Sequence, residues 1–219
     1  MKQMIEKLYY NTVSPFLHET LIKLMETDEL KLFRLVGGTS LSLQLGHRKS
    51  IDIDLFSDTE YGTIDFPRID LYLRKNFKYV DTLDIEPIGF GKSYFIGESA
   101  LQCVKLDLFY TDQFIRPILL IDSIRLATLE EIAAMKIDVI SRGGRKKDFW
   151  DIHELMEKYK ISQMIGLHKE RYPYSHDSNE ILKNFTQFEG ADVDFDPLCL
   201  KNKYWELIKL DIVEKLHEI

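Results

Sequence analysis

The run from Ile51 to Phe56 constrains the fold of this chain more than any other feature. Its apolar residues alternate with Asp52 and Asp54, and a period of two residues is typical of a β-strand with one buried face. The two carboxylates then lie side by side on the other face and repel each other. Solvent, Arg48 or Lys49 could compensate them, and a divalent cation such as Mg²⁺ would do so best, because it prefers hard oxygen ligands.

A third strand carboxylate and a glycine pair extend this pattern. Asp107 stands between two leucines, and three acids converge if its strand lies beside that of Asp52 and Asp54. Upstream, Gly37-Gly38-Thr39-Ser40 predicts a strand-to-helix turn, where backbone N–H groups can approach phosphate oxygens. An isolated Asp-x-Asp pair is more simply explained by an exposed, solvated sheet. The combination instead favours metal-dependent phosphoryl or nucleotidyl transfer.

The remaining patterns predict an α+β fold. Ser14 followed by Pro15 predicts the start of a first helix, and residues 79–110 predict a strand, a glycine-rich turn and two further strands, with Gly97 at the second turn. From Thr128 to Glu131 the sequence predicts a capping box that opens a helical region. We therefore expect a mixed β-sheet with flanking helices in an α/β core, residues 1–122, followed by a helical C-terminal domain, residues 123–219.

Composition narrows the class of protein. The formal net charge of −7 and the pI near 5.4 exclude a wholly basic nucleic-acid coat, although a local basic cleft remains compatible with them. Two cysteines are too few for a disulfide scaffold or for a four-cysteine zinc site. The first ten residues lack the apolar segment of a signal peptide, and no apolar run has the length of a membrane span. We therefore expect a cytoplasmic protein without a membrane partner.

The order of these motifs resembles the DNA polymerase β-type nucleotidyltransferase superfamily. The longer run from Leu35 to Phe56 is similar to the AbiEii/AbiGii branch, the nucleotidyltransferase toxins of type IV toxin–antitoxin and phage-abortive systems. A second segment agrees: in that branch a lysine on one helix, here Lys136, precedes a basic-Asp-aromatic-x-Asp signature, here within Ser141–Ile152. The resemblance covers about residues 30–158.

The resemblance implies a site for NTP and for two Mg²⁺ ions. The metal ligands would be Asp52, Asp54 and Asp107, of which Asp107 could also accept the proton of the attacking hydroxyl group. The implied catalytic residues are Asp52, Asp54, Asp107, Lys136 and Asp148. The implied nucleotide-binding residues are Gly37, Gly38, Thr39, Ser40, Arg48, Lys136 and Arg145. Many relatives carry alanine in place of Ser40, but no residue of the catalytic pattern is missing.

The resemblance also implies an acceptor and partners. The chain would transfer a nucleoside monophosphate from an NTP to RNA, such as the 3′ end of a tRNA, in a toxin or abortive-infection role, and an antitoxin from the same operon is a further implied partner. The basic cluster from Arg142 to Lys147 fits a triphosphate or an RNA backbone, and it fits a solvated loop equally well. The alternatives are a small-molecule or protein nucleotidyltransferase and a non-catalytic nucleotide-binding regulatory module.

Overall fold

The strand that carries the acidic pair lies at the centre of a seven-stranded sheet in the computed structural model, which describes residues 7–82 and 89–218. In chain order the strands are β1 (Arg34–Leu35), β2 (Asp52–Ser57), β3 (Tyr79–Asp81), β4 (Gly91–Ser99), β5 (Gln102–Tyr110), β6 (Leu119–Ile121) and β7 (Ile124–Leu126). Their order in the sheet is β3-β4-β5-β2-β1-β7-β6. The β2–β5 and β1–β7 pairs are parallel and the other pairs are antiparallel, so the predicted mixed sheet is confirmed.

Helices pack on both faces of this sheet. They are α1 (Pro15–Met25), α2 (Gly37–Leu45), α3 (Phe66–Asn76), α4 (Leu129–Ser141), α5 (Lys146–Leu155), α6 (Ile161–Arg171), α7 (Ser178–Asn184), α8 (Glu189–Asp192) and α9 (Trp205–Leu216). One hydrophobic cluster joins α1 and α3 to the apolar face of β2 and β5, and a second joins α2 to the helices from α4 onward. Because Ile53, Leu55 and Leu106 belong to the first cluster, the acidic residues of β2 and β5 point to the opposite face.

Local sequence signals explain several element boundaries. The Ser14 hydroxyl accepts a hydrogen bond from the Leu17 N–H at 3.0 Å at the start of α1, as predicted. At α4 only half of the predicted capping box forms: Thr128 caps the helix, whereas the Glu131 carboxylate pairs with Arg171 at 2.8 Å. That contact joins residues 40 positions apart, which a local pattern does not contain.

The sequence predicts two turns between β3 and β5, and the structure does not confirm either of them as predicted. Gly97 lies inside β4, at a β-bulge, and not at a turn, so that prediction was wrong. A Cβ atom there would stand 2.7 Å from the Cα of Cys103, and the glycine therefore permits the close approach of β4 to β5. The first glycine-rich turn was predicted at Gly89 and Gly91, but Gly91 is the first residue of β4; residues 83–88, which precede Gly89, lie outside the described residues.

The predicted domain boundary between residues 122 and 123 falls in the β6–β7 turn. Both strands of this hairpin belong to the sheet, and the helical region begins at Leu129. The division into two domains stays a prediction. Across the described part of the chain, none of the helices has the length and apolar character needed to cross a membrane. Of the first ten residues, which carried the prediction on a signal peptide, residues 1–6 lie outside the described part.

Candidate active site

Three carboxylates converge where β2 and β5 lie side by side. Asp54 is the register partner of Asp107, and Asp52, two residues earlier on β2, is the register partner of Lys105. All three acids are half-buried. The predicted convergence of the three acids is therefore present, because the two strands are parallel neighbours and place their polar faces on the same side of the sheet.

The acids act on each other electrostatically. Burial and the negative charges of Asp107 and Asp52 raise the pKa of Asp54 to about 6, and the positive charges of Lys136 and Lys147 oppose this shift only in part. Asp107 accepts a hydrogen bond from Lys105 Nζ at 2.6 Å through Oδ2. Its other oxygen, Oδ1, is buried and has no hydrogen-bond partner among the described residues. The cluster thus has an excess of negative charge and an unsatisfied oxygen.

This donor set fits a divalent cation. Three carboxylates provide hard oxygen ligands, and the unpartnered Oδ1 of Asp107 is an oxygen that a cation would satisfy. As the side chains stand, no group of three His, Cys, Asp or Glu residues in the described ranges is arranged to hold a metal. The cation that the cluster does contain is Lys105, whose Nζ lies 2.6 Å from Asp107 Oδ2. Burial lowers the pKa of Lys105, but the hydrogen bond and charge of Asp107 outweigh burial and raise it.

The Gly37-Gly38 pair lets α2 begin next to the carboxylates. Gly37 has a φ of +65°, and a Cβ atom there would stand 2.5 Å from Asp54 Oδ2. A Cβ atom at Gly38 would overlap the guanidinium group of Arg48. The glycines therefore allow an acid and a base to pack against the first turn of α2, whose backbone N–H groups point along the helix axis as an anion site requires.

The two hydroxyl groups of the turn lie inside the protein. Thr39 Oγ1 contacts Ser50 Oγ at 2.7 Å and also the backbone carbonyl of Asp52. Ser40 is fully buried, and its Oγ accepts a hydrogen bond from Gln44 Nε2 at 3.1 Å. These side chains, predicted to bind phosphate, hold the turn in place here. Backbone N–H groups are the part of the turn left to meet a phosphate.

A buried ion network lies close to the carboxylates, with Asp151 of α5 at its centre. Arg48 binds Asp151 with Nε and Nη2 at 2.6 and 2.8 Å, Lys136 Nζ lies at 2.7 Å, and His47 Nε2 lies at 2.8 Å. Burial alone would raise the pKa of Asp151, but the charges of Arg48 and Lys136 hold it well below its usual range. The carboxylate is therefore ionised, and both of its oxygens are bonded. It holds in place Arg48 and Lys136, two residues that were predicted to bind the nucleotide.

Asp148 joins this network to the start of α5. Its Oδ1 accepts a hydrogen bond from Lys136 Nζ at 2.6 Å, and its Oδ2 accepts one from the backbone N–H of Arg145 at 3.0 Å. The Arg145 guanidinium points outward and pairs with Asp194 through two nitrogens at 2.9 and 3.0 Å. Lys136 and Asp148 are therefore buried, with the charge of Lys136 acting on Asp54, whereas the Arg145 side chain is exposed.

Two residues of the site, Asp151 and Lys105, were missed by the sequence-based prediction, and a third, Lys147, was predicted only as a member of the basic cluster from Arg142 to Lys147. Asp151 closes the same signature as Asp148, three residues further along one helix, so a signal for it was present. Lys105 shares a strand face with Asp107, which the alternation already indicated. Lys147 directly precedes Asp148, is half-buried, and forms no ion pair with another described residue, although its charge lowers the pKa of Asp54.

The raised pKa of Asp54 predicts a pH-dependent stability of the metal-free protein. The carboxyl group has an ordinary pKa of 3.8 and a folded-state pKa of about 6, so the folded state binds its proton more tightly, and stability falls as the pH rises through this interval. Above it the ionised group costs about 3 kcal/mol, since each pKa unit corresponds to about 1.4 kcal/mol. In excess chelator, Asp54→Asn should therefore raise the melting temperature at about pH 8, and the gain should vanish near pH 4. An equal or lower melting temperature of the variant at pH 8 would contradict this electrostatic picture.

Comparison with known proteins assigns the family. The family profile described as nucleotidyl transferase AbiEii toxin, type IV TA system, matches residues 21–218. An uncharacterised protein of Aquifex aeolicus (strain VF5) is 29% identical over 216 residues, covering 91% of this chain and 94% of that protein. Among solved structures, JHP933 from Helicobacter pylori has a TM-score of 0.58 at 18% identity, covering 93% of this chain and 88% of that one.

The fold of a second solved protein agrees. MenT4, the nucleotidyltransferase toxin Rv2826c from Mycobacterium tuberculosis H37Rv, has a TM-score of 0.53 at 13% identity, covering 91% of this chain and 80% of that one. At such identities the likeness shows the fold alone, and the family profile carries the assignment. A toxin family of this type implies a nucleotide substrate and an antitoxin partner. The chain therefore belongs to the AbiEii nucleotidyltransferase toxin family of type IV toxin–antitoxin systems and is an enzyme of the nucleotidyltransferase class.

Proposed function

We propose that this enzyme transfers a nucleoside monophosphate from an NTP to a hydroxyl group of RNA, such as a tRNA 3′ end, and that it uses Mg²⁺ held by Asp52, Asp54 and Asp107. One observation supports the metal above all: Asp54 and Asp107 are register partners on parallel strands with no cation other than Lys105 bonded to them in the described structure. The RNA acceptor follows from the family resemblance.

Each group of the site has a separate role in the proposed reaction. Bound Mg²⁺ supplies Lewis-acid activation of the transferred phosphoryl group and offsets the charge of the departing pyrophosphate. The acceptor oxygen forms a bond to the α-phosphorus, the bond between that phosphorus and the β-phosphate oxygen breaks, and Asp107 accepts the hydroxyl proton. The N–H groups at the start of α2 bind phosphate oxygens of the NTP. Because this reaction consumes NTP, we place it in the cytoplasm.

Lys147 is the cation that we assign to the triphosphate. Lys136 and Arg48 are buried and bound to Asp151, and Arg145 is bound to Asp194. Lys147, by contrast, forms no ion pair within residues 7–82 and 89–218 and acts electrostatically on Asp54. Lys136 is then a positioning residue that holds α4 and α5 beneath the carboxylates.

Removal of the Lys147 charge should weaken NTP binding. We expect Lys147→Met to raise the KM for NTP about tenfold, the loss of one charge-assisted phosphate contact, with a smaller change in kcat. Lys147→Arg should restore most of the affinity. The matched control is Lys169→Met on α6, an exposed lysine that changes the net charge equally. An unchanged KM in Lys147→Met would show that the triphosphate is bound elsewhere.

A transfer assay tests the proposed function directly. Purified protein is incubated with each α-labelled NTP, Mg²⁺ and total tRNA, with parallel reactions that contain protein or small hydroxyl acceptors. Label on RNA that disappears with chelator or in Asp54→Asn supports the proposal. Label on protein or on a small molecule favours the alternative transferase. NTP binding by calorimetry without transfer to any acceptor favours a regulatory module and overturns the proposal.

A further inference from the structure

The ammonium group of Lys105 lies among the carboxylates, although the proposed reaction assigns no role to this residue. It extends from β5 on the same face as Asp107, two residues along the strand, and its Nζ lies 2.6 Å from Asp107 Oδ2. Its backbone is the register partner of Asp52 on β2. The ammonium group is therefore held among the three acids, at the strand pair where the proposed metal ions would bind.

We propose that Lys105 is an internal counter-cation that holds the site in the metal-free enzyme and is displaced when a divalent cation binds. This inference rests on the metal site of the proposed function. A divalent cation bound to the unpartnered Oδ1 of Asp107 would lie close to the ammonium group on Oδ2, and two cations that share one carboxylate repel each other. Metal binding therefore weakens the contact between Lys105 and Asp107 Oδ2 and favours release of the lysine into solvent.

The surroundings of Lys105 allow such a displacement. Its side chain is 39% exposed, whereas that of Asp107 is 15% exposed, so the lysine approaches from the solvent side. The residue directly across from it on β4 is Phe95, which is itself exposed and offers no competing anion. Among the described residues, Asp107 is the one hydrogen-bond partner of Lys105 Nζ, so a move of the lysine into water breaks a single hydrogen bond.

A purely structural role makes the opposite prediction for metal binding. If Lys105 only held Asp107 in a productive orientation, its removal would disorder a ligand and weaken the site. If Lys105 competes with the metal, its removal leaves Asp107 Oδ2 free and strengthens the site. The sign of the change in metal affinity therefore separates the two roles, and it can be measured without any substrate.

The test is Mn²⁺ binding in the absence of nucleotide, measured by calorimetry on wild type and Lys105→Met. We expect about tenfold tighter binding in Lys105→Met, because one competing charge is gone. Lys78→Met is the matched control: this lysine pairs with Glu98 on the same sheet and is 78% exposed, so its loss changes the net charge equally. Its Mn²⁺ affinity should stay within about twofold of wild type, since exposed charges are screened.

The other outcomes are distinguishable. Equal or weaker binding in Lys105→Met overturns the displacement but leaves the proposed function intact. An absence of Mn²⁺ binding in both proteins overturns the metal site itself and the inference with it. Should Lys105→Met fail to fold, wild type provides a second readout, because the side-chain ammonium NMR signal of Lys105 should change when Mg²⁺ is added. A signal that stays unchanged at saturating Mg²⁺ overturns the displacement as well.

Discussion

Replacement of Asp54 by Asn should lower the rate of nucleotidyl transfer about a thousandfold, a loss typical of removing a central charge from a catalytic site. Asp54 is the middle acid of the cluster, opposite Asp107 and two residues from Asp52. An amide is nearly isosteric with the carboxylate, so the turn at Gly37 should keep its shape. The measurement is the initial rate of label transfer from the NTP to RNA at saturating Mg²⁺.

The same substitution should make the metal-free fold more stable at about pH 8, and this opposition is informative. Loss of activity together with a higher melting temperature excludes unfolding as the cause of inactivity. Asp81→Asn on β3 is the matched control, since Asp81 is an exposed acid at the end of the same sheet, and its rate should stay within about twofold of wild type. If Asp54→Asn retained more than about a tenth of the wild-type rate, Asp54 would not be a ligand of an essential metal.

The sequence predicts the part of the site that depends on the two-residue period of a β-strand. The alternation around Asp52 and Asp54 sets their common face, because strand geometry allows no other arrangement. The same holds for Asp107 on β5. Adjacent placement of β2 and β5 is a long-range property, but a resemblance that includes the order of the motifs is enough to predict it. The convergence of three acids could therefore be predicted from the sequence.

The partners of the basic residues could not be predicted in this way. From the sequence, Arg48 and Lys136 were predicted to be cations available to the nucleotide. In the structure Asp151 binds both, and it lies 103 positions from Arg48 in the chain. The hydroxyl group of Thr39 is another example, because its partners are the Ser50 hydroxyl group and the backbone carbonyl of Asp52, the first residue of β2. Whether a charge faces the ligand or the core depends on such contacts, and no local pattern encodes them.

The net charge of −7 does not show how many cations near the site remain available to RNA, whereas these contacts do. Many cations near the site are already paired: Arg145 with Asp194, Lys146 with Asp196, and Lys105 with Asp107. Few charges then remain to neutralise an RNA backbone. We therefore expect RNA recognition to be confined to the nucleotides near the reacting hydroxyl group, with a weak dependence on salt concentration.

Asp151→Asn should destabilise the protein by roughly 3–5 kcal/mol, the usual result of removing one partner from a buried ion pair. Asp151 is completely buried, and it receives two hydrogen bonds from Arg48 and one contact each from Lys136 and His47. An amide would leave Arg48 and Lys136 buried, and of the two only Lys136 would keep a bonded carboxylate, that of Asp148. Such a loss is a large fraction of the stability of a typical domain. Urea unfolding followed by circular dichroism measures it.

Exposure decides the size of this effect, and Asp196→Asn is therefore the control. Asp196 also binds a lysine, Lys146 at 2.8 Å, but its side chain is 65% exposed, and its loss should cost less than about 1 kcal/mol. Because the pKa of Asp151 lies well below its ordinary value, its contribution is present above about pH 4 and disappears as the pH falls towards the folded-state pKa. The difference in stability between wild type and Asp151→Asn should therefore shrink in acid. A difference that is constant with pH, or below about 1 kcal/mol at neutral pH, would mean that the ionised carboxylate is not what holds Arg48 and Lys136 beneath the site.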